Sequence, residues 1–139
     1  MWIRAALIAS AGLASTHLTG CSTAGASRAV AMQCAVAADL APQIKADNVD
    51  PQIAGIDCRA TLAAAKVPML GLKKPNDPAG TPGLNHIFQF KTIDVVDPNT
   101  VRVKLDYTCN VWCGHGEEIT AAKRDAHWVV SDRKTTWIS

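Results

Sequence analysis

The hydrophobic pattern changes to a period of two in the last third of the chain, and this change most restricts the possible folds. Between Val101 and Thr108, apolar side chains alternate with Arg, Lys, Asp and Thr. Such alternation is typical of a strand with one buried and one solvated face. The preceding run Ile87 to Val96 is rich in Ile, Phe and Val, and Asp97-Pro98-Asn99 separates the two runs as a turn. The sequence therefore predicts an antiparallel hairpin.

Two more strands follow this hairpin. Glu117 to Lys123 predicts a third strand, Arg124-Asp125-Ala126 a turn, and His127 to Ile138 a fourth strand. Short links between neighbouring strands favour antiparallel pairing. The C-terminal part is thus predicted to form a four-stranded meander.

The first half of the chain predicts helices. Arg28 to Ala41 is alanine-rich and should end or kink at Pro42, because proline lacks the N–H that continues a helix. A shorter helix is predicted from Cys58 to Lys66, with Asp57 as its N-cap and Pro68 as its stop. Residues 67–85 carry several prolines and glycines and predict a long loop.

The order of these elements predicts an α+β fold. Helices come first and would cover the apolar face of the four-stranded antiparallel meander, which gives a two-layer single domain over residues 28–139. The helix-then-sheet order is similar to that of cystatin-like and nuclear-transport-factor-like folds. Because fold similarity does not transmit activity, this resemblance carries no function.

The N-terminal segment has the parts of a secretory signal. Arg4 supplies a basic start, Ala5 to Leu13 an apolar run, and small residues precede Cys21. The motif Leu18-Thr19-Gly20-Cys21 resembles the lipobox of bacterial lipoprotein precursors. The resemblance implies a signal peptide over residues 1–20.

The same resemblance implies the localisation. Cys21 would become the mature N-terminus and carry the lipid (including palmitate as an acyl chain), which would anchor the protein to a membrane of the cell envelope. The residue after the cysteine is Ser22 and not aspartate, which in this family implies sorting to the outer membrane, facing the periplasm. The small residues 21–27 are predicted to form a flexible tether.

The charge balance argues against nucleic acid as a partner. The full chain has 14 Lys and Arg against 12 Asp and Glu, and Arg4 lies in the signal segment. The remaining chain is nearly neutral and has no basic footprint. The expected partners are instead the membrane, through the lipid, and an envelope protein or the cell wall.

The cysteine count favours disulfides. Once Cys21 is lipidated, an even number of cysteines remains in an oxidising compartment. We predict bonds between Cys34 and Cys58 and between Cys109 and Cys113, because each pair falls in one half of the chain.

The meander topology predicts which polar residues meet. The start of strand one lies beside the end of strand two, the start of strand three and the end of strand four. His127 is not expected at this end of the sheet. A strand rises about 3.3 Å per residue, which places His127 about 30 Å from His115. The residues gathered at one end are therefore His86, Cys109, Cys113, His115, Glu117 and Trp137.

Several functions could use this end of the sheet. Two cysteines and two histidines are the ligand set of a tetrahedral zinc site, although the paired ligand spacing of such sites is missing, and we predict no metal and no cofactor. A redox dithiol at Cys109 and Cys113 lacks the thioredoxin pattern. A structural disulfide would instead hold Trp112 still, either packed on the sheet or presented to a partner. We therefore take Trp112, His115 and His86 as candidate binding residues.

The last third also resembles the sheet ending of small uncharacterised bacterial envelope proteins. The residues that carry this resemblance are Cys113-Gly114-His115-Gly116, the run His127 to Val130, and Trp137-Ile138-Ser139. No catalytic motif is present, so no catalytic residue is assigned and we expect a protein that is not an enzyme. The expected function is a lipid-anchored envelope protein with a binding or structural role. The alternatives are an enzyme inhibitor that uses the Cys109–Cys113 loop, and a metal or redox protein.

Overall fold

The computed structural model describes residues 21–70, 86–110 and 113–139. These residues form an α+β fold, as predicted, in which helices and a short hairpin precede a four-stranded antiparallel sheet. The signal segment 1–20, most of the predicted loop 67–85 and the candidate binding residue Trp112 lie outside the described residues. None of the helices in the described part of the chain has both the length and the apolar character needed to cross a bilayer.

The N-terminal half contains two helices and a small hairpin. Helix α1 spans Cys21–Gln43, strands β1 and β2 span Gln52–Ile53 and Ile56–Asp57, and helix α2 spans Arg59–Ala64. The hairpin of β1 and β2 is not predicted from the sequence, because strands of two residues leave no alternating pattern.

Helix α1 is longer than predicted at both ends. It begins at Cys21, so residues 21–27, expected to form a flexible tether, are helical. This segment contains alanines and no proline, and nothing in it prevents helix formation. At the other end the helix passes Pro42 and ends at Gln43, because a proline in the last turn removes only one hydrogen bond.

A left-handed residue ends each helix. Lys45 has a φ of 56°, and the Ala46 N–H donates to the Ala41 carbonyl across 2.9 Å. Lys66 has a φ of 58°, and the Val67 N–H donates to the Leu62 carbonyl across 3.0 Å. Both endings have the hydrogen bonds of a Schellman motif, with lysine where glycine is usual.

Helix α2 is shorter than predicted because its cap differs. Cys58, not Asp57, occupies the N-cap position, and its side chain makes no capping bond. The Asp57 carboxylate instead accepts a hydrogen bond from the Arg59 N–H across 3.0 Å. The left-handed conformation of Lys66 ends the helical path before the predicted stop at Pro68.

The sheet confirms the predicted meander. Its strands are β3 (Ile87–Asp97), β4 (Thr100–Asn110), β5 (Cys113–Arg124) and β6 (His127–Ile138), in the spatial order β3-β4-β5-β6 with antiparallel pairing throughout. Strand β5 begins before the predicted Glu117, and β6 has the predicted bounds. We call the end with the β3–β4 and β5–β6 turns the turn end, and the opposite end the cluster end.

The two faces of the sheet differ in burial. On the inner face, Val101, Val103 and Leu105 are fully buried against the helical layer, as their alternation predicts. The helices contribute Val36, Leu40 and Leu62 to the same core. On the outer face, Arg102 and Lys104 are exposed. The core therefore lies between the helices and the inner face alone.

Candidate functional site

Two disulfides hold the described part of the chain, with the predicted pairing. Cys34 is bonded to Cys58, with their Cα atoms 5.2 Å apart, and this bond joins α1 to the start of α2. Cys109 is bonded to Cys113, with their Cα atoms 5.4 Å apart, and this bond closes the connection between β4 and β5. The second disulfide lies at the cluster end, where it fixes the ends of two strands.

Three aromatic rings form a row across the inner face at the cluster end. Tyr107 on β4 lies between His86 and His115, with ring centroids 5.7 Å and 5.0 Å away. The Tyr107 hydroxyl and His86 Nδ1 share a hydrogen bond. Both candidate histidines are therefore brought to the same end, on opposite sides of a tyrosine. Alternation along β4 already indicated that Tyr107 faces inward.

A buried carboxylate continues this row. Glu117 is only 7% exposed, and Arg133 of β6 binds it through two hydrogen bonds, from Nε across 2.6 Å and from the guanidinium Nη2 across 3.0 Å. His115 Nε2 donates to the same carboxylate across 3.0 Å. We call the group of His86, Tyr107, His115, Glu117 and Arg133 the end cluster.

The partners of Glu117 keep it ionised. Burial alone would raise the pKa of Glu117, but the hydrogen bonds from Arg133 and His115, with the charge of Arg133, together outweigh it and lower the pKa. An ionised Glu117 can only accept hydrogen bonds, so the His115 proton lies on Nε2. The His115 ring that makes this bond is partly exposed.

The arrangement disfavours the zinc hypothesis. The sulfur atoms of Cys109 and Cys113 are bonded to each other, so neither is available as a thiolate. The imidazoles of His86 and His115 are separated by the Tyr107 ring. Across residues 21–70, 86–110 and 113–139, no three His, Cys, Asp or Glu side chains come together as metal ligands. The end cluster instead combines hydrogen-bonding and aromatic groups suited to binding.

Trp137 lies at the same end but on the outer face. It pairs with Gly116 across β5 and β6 and is 41% exposed. A Cβ atom at Gly116 would overlap the indole Nε1 and Cδ1 atoms, and one at Gly114 would lie 2.9 Å from the Tyr107 carbonyl oxygen and 3.3 Å from the indole Cη2 atom. Glycine is therefore needed at position 116 because the indole rests on its backbone, whereas at position 114 the nearest obstacle is the Tyr107 carbonyl.

His127 lies at the turn end, as predicted, away from the end cluster. Its Nδ1 atom is 3.4 Å from Asp39 Oδ1 of α1, and the other oxygen of Asp39 accepts a hydrogen bond from the Trp128 N–H. Gln43, one helical turn later, bonds to the backbone of Trp128 and Val130. Helix α1 and strand β6 therefore advance in the same direction, from the turn end towards the cluster end.

This direction determines where the start of α1 points. Residues 25–31 of the helix are exposed on every side, unlike the segment from Cys34 to Ile44, which packs in the core. At 1.5 Å per residue, the exposed part is about 10 Å long. Because the helix runs towards the cluster end, its exposed start projects on the side of the turn end.

The sequence did not reveal Arg133 as a member of the end cluster. A regular strand that buries Trp128 and Val130 would direct Asp132, not Arg133, to the inner face. A β-bulge between the pairs Ala121–Val130 and Thr120–Asp132 inserts one residue and reverses this order. No feature of the alternation in β6 marks that insertion.

Comparison with known proteins identifies no relative of this chain. No protein-family model matches it, and no curated protein and no solved structure is significantly similar to it. The lipobox and the resemblance to small envelope proteins therefore stay predictions.

Proposed function

We propose that this protein is a lipid-anchored protein of the bacterial cell envelope with a binding role, and that it binds its partner at the cluster end of the sheet. The lipid on Cys21 would hold it to the outer membrane, on the periplasmic side. The partner would be an envelope protein or the cell wall.

One observation carries the proposal: the start of α1 and the end cluster lie towards opposite ends of the molecule. Asp39 and Gln43 fix this direction through their bonds to β6. A lipid on Cys21, at the first residue of α1, would therefore lie on the side of the turn end. The end cluster would then face away from the membrane, towards the space where an envelope partner lies.

Two further features support the compartment and the role. Disulfides form in oxidising environments, and the described residues contain two of them. A buried carboxylate such as Glu117 is not needed for stability, since apolar residues of the same size often stabilise as well. The polar inner face of the cluster end therefore favours recognition over packing as its role.

The anchor is tested by labelling with a fatty acid. Cells that produce the wild type should show a labelled band in the membrane fraction, and Cys21→Ser should remove the label and leave the precursor uncleaved. Equal labelling of the two proteins would reject the anchor.

The binding role is tested by capture of partners from envelope extracts. His115→Ala changes the end cluster, and His127→Ala is the matched control at the turn end. We expect a partner that the wild type and the His127→Ala variant retain and that the His115→Ala variant loses. Identical capture by all three proteins would reject the cluster end as the binding surface.

A further inference from the structure

We propose that the outer face of the cluster end binds the pyranose rings of a cell-wall glycan on a flat platform formed by the Trp137 indole. We call this surface the indole platform; it consists of Trp137 and the two glycines beneath it, Gly114 and Gly116. The inference rests on the proposed function only for the compartment, which supplies the glycan. It concerns the opposite face of the sheet from the end cluster.

The contacts of Trp137 show that its ring lies flat. The Nε1 and Cδ1 atoms lie over Gly116, and the Cη2 and Cζ3 atoms lie over Gly114. These atoms belong to opposite ends of the indole, so both of its rings rest on the same strand. With one face of the ring on β5 and the residue 41% exposed, the other face is open to solvent.

Polar groups border the platform. Asp106 of β4 pairs with Gly116, and Thr108 pairs with Gly114, so both stand beside the indole on the outer face. The Thr136 hydroxyl also lies next to Gly116. A pyranose has faces of C–H groups and a rim of hydroxyls. The indole face suits the C–H groups, and the carboxylate and hydroxyls suit the rim.

The small apolar area argues against a protein partner on this face. A stable protein interface buries about 800 Å² on each partner and has an apolar centre. Among the described residues, Trp137 is the large apolar side chain exposed on the outer face at the cluster end, whereas Val96 and Val129 are exposed at the turn end. The ion pairs of Glu118 with Arg102 and Lys134 lie between them. One isolated indole matches a sugar ring and not a second copy of this chain.

The test uses the mature protein extracted from membranes in detergent and purified peptidoglycan sacculi. The wild type should sediment with the sacculi, and soluble oligomers of N-acetylglucosamine should compete. Trp137→Ala should weaken binding roughly tenfold, which corresponds to about 1.4 kcal/mol. Val129→Ala is the matched control, because Val129 is another apolar residue of β6 that is exposed on the outer face, but at the turn end. It should bind like the wild type.

A measurement on the wild type keeps the test independent of the folding of any variant. N-bromosuccinimide oxidises exposed indoles, and mass spectrometry locates the oxidised tryptophan. Oligomers of N-acetylglucosamine should protect Trp137, while the buried Trp128 stays unmodified with or without them. The protection should be absent with glycerol as the added solute.

Several outcomes would overturn the inference. The first is equal oxidation of Trp137 with and without the oligomers, and the second is failure of the wild type to sediment. The others are equal loss of binding in Trp137→Ala and Val129→Ala, and dissociation of a dimer by Trp137→Ala. Fatty-acid labelling and partner capture do not depend on Trp137. A failure of glycan binding with those two results intact would therefore remove this inference alone.

Discussion

The two turns at the turn end of the sheet are held by bonds between neighbouring residues, whereas the central ion pair of the end cluster joins residues far apart in the chain. The Asn99 N–H donates to the Asp97 side chain across 2.8 Å, and Asp125 and Ala126 form a turn with φ values of 49° and 65°. Arg133 and Glu117, by contrast, meet from different strands. Local chemistry thus specifies the two turns, and strand pairing specifies the ion pair of the end cluster.

The difference extends to charge. At the turn end, the His127 side chain that contacts Asp39 is exposed, whereas at the cluster end Glu117 is buried and its partner Arg133 is partly exposed. Exposed pairs contribute little to stability, and a buried carboxylate requires its partners. The cluster end is therefore the more sensitive to single substitutions that remove a partner.

The largest expected effect comes from the disulfides. Replacing Cys34 and Cys58 by serine should lower the free energy of unfolding by about 3.5 kcal/mol, and replacing Cys109 and Cys113 by about 2 kcal/mol, because the loss grows with the length of the closed loop. Urea denaturation of each double variant measures the difference. A larger loss for Cys109 and Cys113 would show that this disulfide stabilises more of the fold than the connection between β4 and β5.

Removal of the buried carboxylate should have the next largest effect. Glu117→Ala leaves Arg133 and His115 without their acceptor and should lower the free energy of unfolding by about 2 to 3 kcal/mol. This loss is at the lower side of the range for broken buried pairs, because Arg133 is partly exposed. Glu118→Ala, one residue away on the outer face, is the control and should show no comparable loss. Similar losses in both variants would contradict the contrast between the faces.

Acid should destabilise the protein through Glu117. Because the folded-state pKa of Glu117 is lowered, its contribution is present above the ordinary pKa of about 4.3 and is lost as pH falls from there through the lowered pKa. Glu117→Gln should flatten the decline of the free energy of unfolding in this window.

The pH experiment needs a control for Glu118. The hydrogen bond from Lys134 also lowers the pKa of Glu118, so this residue contributes in the same direction. High salt screens exposed pairs more than buried ones. The pH dependence that remains at high salt should therefore come mainly from Glu117. An unchanged pH profile in Glu117→Gln would contradict the prediction.

The smallest expected effect is a gain in stability from a substitution in the β5–β6 turn. Ala126 has a φ of 65°, where glycine fits without strain. Ala126→Gly should raise the free energy of unfolding by about 0.5 to 1 kcal/mol. Ala122→Gly within β5 is the control and should lower it by about 0.5 to 1 kcal/mol. Thermal denaturation distinguishes the two signs, and a loss in Ala126→Gly would show that this turn is not strained.

Much of the fold could be predicted from local signals. Alternation along Val101 to Thr108 gave the face that is buried, and the turn residues around Pro98 and Asp125 separated the strands. The disulfide pairing followed from the two halves of the chain. The helix boundaries were less predictable: residues 21–27 are compatible with helix or coil, and Lys45 and Lys66 adopt a conformation that glycine usually marks.

The candidate site was predictable only in part. The meander brought His86, His115 and Glu117 to one end, because strand order fixes which termini are neighbours. The sequence contained no sign of the ion pair between Glu117 and Arg133, since it depends on the register of β6 against β5.

The sequence by itself determined the number and order of the strands, the buried face of β4 and the cysteine pairs, because each depends on residue type or short-range spacing. Only the tertiary structure decided which face the end of β6 presents. One bulge turns Arg133 inward to Glu117, and a second, between the pairs Glu117–Thr135 and Gly116–Trp137, turns Trp137 outward onto the glycines. A bulge shifts every later side chain to the other face, and the pairing with β5 determines where it occurs.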